Sequence, residues 1–234
     1  GEATDEAISS IAEPVQAVSP SQGNGEPKEI AAEFLDEFQL IKEECDNRLR
    51  PIYKKFAEDF ELAKTSEEQE RLAKSIEGES SAVFAPKLPK AFELVKPHAS
   101  DGAAIEPLFW IATYGGKTDI GQDAANLLIE HHLTDKKTIE RAFGRRRSEM
   151  KWVAQMLRAQ VVAPDLLEDQ RPRQMLALAQ TLVALVEWRH DDVRKLDEAI
   201  QLYTELDKKY ADKKYNDSVT FGDLAESALF EIGN

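Results

Sequence analysis

One cysteine, Cys45, in 234 residues excludes an intramolecular disulfide framework. It leaves the compartment open, because a chain this long buries enough core to fold without crosslinks in either a reducing or an oxidising setting. Basic charge is the second shortage. With 30 Lys and Arg against 44 Asp and Glu, the formal charge of -14 repels phosphate backbones and anionic lipid surfaces, which argues against nucleic acid as a partner. Long apolar runs are missing too. "MLALAQTLVALVEW" falls short of the roughly 20 residues that cross a bilayer and suits a buried helix, so no membrane span is expected. The start lacks a basic stretch followed by an apolar one, and its Gly-Glu reads as a processed or engineered end. Gly-x-Ser-x-Gly and Cys-x-x-Cys are absent, and no segment alternates with period two between turn residues, which leaves no basis for a hairpin.

What the chain does have is helical periodicity. Residues 1–27, with "PVQAVSPSQGNGEPKE", read as a flexible linker, and 28–234 as one helical domain. From Glu29, the spacing of Ile30, Phe34, Phe38, Ile41 and Cys45 stacks them on one face, making Cys45 a small core residue. Pro51 is expected to limit or kink that helix before Ile52, Phe56, Phe60 and Ala63 resume the stripe. Thr65 with Glu68 forms a capping box for the next helix, which Gly78 is expected to end. Further helices are predicted over about Ser81 to Val95, from Ser100 or Asp101 to "YGGK", and over Asp119–His132, Lys136–Phe143, Glu149–Val162, Arg171–Arg189, Asp192–Tyr210 and Phe221–Ile232. The fold class is all-α. Stacked antiparallel helical hairpins in an irregular array, or a compact non-repeating bundle, both satisfy the one-sided faces; no fixed-period repeat is present, although the hairpins suggest a tetratricopeptide-like or HEAT-like appearance.

Candidate sites are few. In "EHHLTD", adjacent His131 and His132 diverge by about 100 degrees on a helix, so they cannot share an ion. Glu130, His132 and Asp135 could converge on a metal at the helix end, or the imidazoles could simply favour the carbonyl end of the dipole. "RAFGRRRSEMK" is the one basic run. Arg145, Arg146 and Arg147, with Arg141, either bind an anion, pair with nearby carboxylates or form a docking patch. Trp110, Trp152 and Trp188 sit among helix-spaced apolar residues, which points to packing; Trp110 and Trp152 become aromatic anchors if a groove between hairpins binds a peptide. "TYGGKTD" lacks phosphate-loop spacing and reads as an interhelical turn. No catalytic residue, cofactor or metal ligand is assigned.

"FAEDFELAKTSEEQERLAKS", "FAPKLPKAFELVKPHASDGAAIEPLFWIAT" and "YADKKYNDSVTFGDLAESALFEIGN" resemble the helical N-terminal region of planctomycete redoxin proteins, over roughly Ile52 to Asn234. "QMLALAQTLVALVE" resembles a further helix of that family, whereas "RAFGRRRSEMKW" does not map onto it. The resemblance implies a non-catalytic accessory or scaffold domain. A thioredoxin-like domain of the TlpA and peroxiredoxin-related type would follow it and carry the redox-active cysteines. It also implies an exported, periplasmic or cell-envelope setting. The partners expected are that C-terminal thioredoxin-like domain and a protein client. A free-standing helical peptide-binding or protein-binding module and a metal-dependent enzyme are the alternative readings.

Overall fold

The computed structural model describes residues 27–143 and 151–233. The array is all-α, with ten α-helices among the described residues and no sheet; a single isolated bridge joins Lys214 to Thr220. Helices α1 (Pro27–Leu62) and α2 (Ser66–Phe84) form the first hairpin, followed by α3 (Leu88–Val95) and two short 3-10 turns. Next come α4 (Ile105–Tyr114), α5 (Asp119–His132), α6 (Lys136–Phe143), α7 (Lys151–Val162), α8 (Arg171–Arg189), α9 (Arg194–Tyr210) and α10 (Phe221–Ile232). Most neighbours in sequence pack on one another, so the faces left apolar by each helix are closed by the next.

Two helices are apolar around most of their circumference and occupy the centre. In α4, Ile105 and Pro107 through Ala112 are all buried. In α8, Gln174 to Ala179 form a continuous buried run extended by Leu182 and Leu185, and α6, α7, α9 and α10 pack around that helix. A helix without a polar face has no stable place at a surface. At its end His190 adopts a left-handed conformation, φ 50°, which closes α8 before Asp192 turns the chain into α9.

Besides the 3-10 turn at Gly102–Ala104, which stands before α4 where the sequence predicts a helix from Ser100 or Asp101, the helices differ from the expected boundaries in four places. Pro51 does not end α1, which runs through it. The ring removes one hydrogen bond at an exposed position, while burial of Phe34, Phe38, Ile41, Cys45 and Leu49 before it and packing on α2 keep the helix continuous through the site. Gly78 lies inside α2, whose final residues Val83 and Phe84 enter the core; about 1 kcal/mol of propensity does not outweigh that anchorage. α3 accordingly starts at Leu88, with Pro89 in its first turn, where a missing N–H costs nothing. α9 starts at Arg194, because Asp192 stays outside and accepts from the Arg194 amide at 3.0 Å. Ile30 and Trp188 lie in helices, with side chains outside the described residues; residues 1–26 and Glu149 lie outside the described residues altogether.

The Thr65 capping box is formed: Thr65 Oγ1 accepts from the Glu68 amide at 3.2 Å, and Glu68 Oε2 accepts from the Thr65 amide at 3.1 Å. Thr220 and Asp223 build a second box at the start of α10. Replacing Thr65 with Ala should cost about 1 kcal/mol in urea unfolding, since the Glu68 amide loses its acceptor.

Tyr203, in the interface of α9, is 3% exposed. Burial first, then the negative charges of Glu231 and Glu187, push its hydroxyl up to about 12 from the ordinary 10.0. The folded state therefore retains a proton that the unfolded chain releases first. This contribution to stability is complete below about pH 10 and is lost as pH rises towards about 12, a change of order 2–3 kcal/mol. Tyr203→Phe should remove that component, giving a flatter decline of the urea midpoint across this window than the wild type; parallel declines would contradict it.

Candidate functional site

The metal candidate is corrected by geometry. His132, on the last turn of α5, is 5% exposed, and its Nε2 lies 2.6 Å from the carbonyl of Ala99. A carbonyl only accepts, so that nitrogen carries the hydrogen and is committed to tying α5 to the turn after α3. Glu130 approaches His131 instead, at 3.9 Å, and Asp135 Oδ1 accepts from the Lys137 amide at the start of α6. Glu130, His132 and Asp135 thus serve three separate local purposes. Among the described residues, no three His, Cys, Asp or Glu side chains gather in a way that could hold a metal ion.

The other chemistry-bearing groups are also turned inward. Cys45 is fully buried on α1, and burial, followed by the charge of Glu44, pushes its thiol up, so the reactive thiolate is disfavoured. Trp110 is 7% exposed and meets Phe38 and Phe84 edge-on, both with centroids at 5.5 Å. Trp152 is 2% exposed against Phe109, and its Nε1 has no hydrogen-bond partner. The structure therefore places both indoles in the core, and serving as surface anchors would require the core to open. The "YGGK" segment is the interhelical turn expected of it. Lys117 pairs there with Glu77 of α2, and Thr118 caps α5 by accepting from the Gly121 amide.

Arg145, Arg146 and Arg147 lie outside the described residues. Arg141, at the end of α6, pairs with Glu106 and places its guanidinium 5.6 Å from the centre of the Phe109 ring. The acidic-neighbour reading of the basic run thus holds for this one member. Elsewhere two arginines act as ties between segments. Arg158 of α7 donates through Nε and Nη2 to the two oxygens of Glu198 of α9, both at 2.6 Å, and Arg171 donates to the backbone carbonyls of Val161 and Ala163.

The surface that sequence reasoning missed is the α1–α2 hairpin. Between Leu49 and Val83 no residue is buried, although the stripe of Ile52, Phe56, Phe60 and Ala63 has the spacing of a core face. Here α1 packs on α2, and Tyr53 and Phe60 stay exposed while Ile52 and Phe56 are half-buried. An open groove of about 470 Å³ lies near the tip, lined by Leu62, Ala63 and Leu72 together with Asp59, Glu68 and Arg71. The Glu68 carboxylate beside it is lowered from its ordinary value by the Lys64 and Thr65 amides it accepts from. No described helix is long and apolar enough to cross a membrane.

Comparison with known proteins gives no matching protein-family model, no matching curated protein and no matching solved structure. The redoxin resemblance accordingly rests on the quoted segments alone.

Proposed function

We propose that this chain is a non-catalytic helical accessory or scaffold domain that carries a thioredoxin-like redoxin domain and mediates its interdomain or client contacts. The observation that supports this reading is the placement of the reactive groups. Cys45, His132, Trp110 and Trp152 are all buried in packing roles, which leaves a surface of amphipathic helix faces with polar rims. Interdomain contacts within a chain use surfaces of that kind. On this reading the redox-active cysteines belong to the following domain, and the setting is exported, periplasmic or at the cell envelope.

The purified chain should reduce insulin disulfides no faster than its Cys45→Ser variant, with both at the uncatalysed rate. Turnover that the substitution abolishes would sink the scaffold reading. The native reading frame supplies an independent check, and a domain with a reactive cysteine following Asn234 is the expected result. The open groove on the α1–α2 hairpin favours a second reading, a free-standing peptide-binding or protein-binding module, which a frame ending at Asn234 would bring forward.

A further inference from the structure

We propose that the α1–α2 arm, residues 50–82, docks antiparallel onto the arm of a second copy of this chain. Three features of the arm converge on that occupant, whether or not a redoxin domain follows. The first is its thinness. A helix pair with no buried residue has only half of the apolar surround a stable element needs, and two-helix units ordinarily gain the rest by packing on another layer.

The second is the apolar stripe left open. Tyr53 and Phe60 are 47% and 38% exposed, and they lie seven residues apart, two turns along the same side of α1. Half-buried Phe56 stands between them, with its ring 5.4 Å from Phe60. Exposed Ala57 falls at the midpoint, on the same side, where a small residue lets two helices approach closely. A two-fold axis at this midpoint sets Tyr53 of one copy across from Phe60 of the other.

The third is charge, and it selects the partner. From 50 to 55, at the base of the arm, there are three cations, Arg50, Lys54 and Lys55, and no carboxylate. From 58 to 70, at the tip, there are six carboxylates against the single Lys64. Among the described residues, none of those three cations forms an ion pair, and neither do Glu58, Asp59, Glu61 or Glu67. An antiparallel two-fold lays each base along the other's tip, so both ends are complementary at once, as an isologous interface requires. A parallel pairing would oppose like charges. A polyanion would match the base but be repelled by the tip and by the net charge of -14.

The interface is small and partly electrostatic, which puts it in the weak, salt-sensitive class. The test is sedimentation of the full chain across a concentration series at low and high salt. The expected result is a monomer–dimer equilibrium that shifts to monomer with added salt. Tyr53→Ser with Phe60→Ser should abolish the dimer while leaving the far-UV spectrum helical, since both side chains are already exposed. A second set keeps the proposal falsifiable even if the apolar pair damages the hairpin. Lys54→Glu with Lys55→Glu, and separately Glu58→Lys with Glu61→Lys, should each give a monomer, and mixing the two should restore a heterodimer. A wild type that stays monomeric at low salt overturns the proposal, as does a dimer insensitive to both charge-reversed variants. An arm that becomes protected only in a longer, monomeric chain also overturns it, because the occupant is then the neighbouring domain.

Discussion

Gly121→Ala should leave little folded protein, with a loss of more than about 4 kcal/mol, at a helical position where alanine propensity alone predicts a gain of about 1 kcal/mol. The cause is steric. Gly121 lies in the first turn of α5, and a Cβ there would fall inside the carbonyl carbon and oxygen of Gly115 and 2.8 Å from the Gly116 nitrogen. These are backbone atoms, so no side chain can swing aside. The Gly115 carbonyl is also held in place, because it accepts from the Thr118 amide at 2.7 Å and from the Thr118 hydroxyl at 2.8 Å. Moving it would undo the turn that starts α5. Neither glycine has positive φ, so the requirement is for space and not for backbone freedom. Gly78 gives the opposite sign under the same substitution: its added Cβ meets nothing within 4 Å, and Gly78→Ala should stabilise by about 0.5–1 kcal/mol. Urea midpoints of the two variants, followed by circular dichroism, check both directions; a Gly121→Ala midpoint equal to wild type would refute the close crossing of the α4–α5 turn.

The all-α fold and the positions of α5, α6, α8 and α10 were legible because in those stretches apolar periodicity and end signals agree. At α5, for example, the break at "YGGK" and the histidines of the last turn bracket the helix. Neither Pro51 nor Gly78 ends its helix, because each is a local penalty of a few kcal/mol at most, whereas the helices are fixed by long-range burial at Phe38, Leu49, Val83 and Phe84. The arm escaped notice for the converse reason. Periodicity reports which residues share a face, and Ile52, Phe56 and Phe60 do; it does not report whether a second layer covers that face. His132 shows the same limit at the site level. Its spacing to Glu130 and Asp135 is compatible with a metal, and only the position of Ala99, 33 residues away in sequence, reveals what the ring is bonded to.

Phe221→Ala should cost about 3–5 kcal/mol and open the C-terminal hairpin before the rest of the array. Phe221 is the first residue of α10 and 2% exposed; its ring meets Tyr215 edge-on at 5.7 Å, and its amide donates to the Lys213 carbonyl at 3.0 Å. It therefore joins the turn after α9 to the face on which Ala199, Tyr203, Leu206 and Tyr210 are buried, and truncation leaves a cavity where three segments meet. Close approach of the next residue limits repair: a Cβ on Gly222 would stand 3.0 Å from Ala211 backbone atoms, so α10 has little freedom to slide inward and refill the void. Leu40→Ala, at a side chain 67% exposed, should change stability by no more than about 0.5 kcal/mol and controls for the general effect of shortening an apolar residue. Hydrogen exchange carries the consequence for function. If α9 and α10 bury one another without help, α10 amides are protected in the wild-type chain and Phe221→Ala releases them while α4 and α8 stay closed. A scaffold that presents a following domain needs such a preformed platform. Free exchange of α10 in the wild type, with Phe221→Ala leaving the midpoint unchanged, would mean instead that this hairpin is ordered only by whatever packs against it.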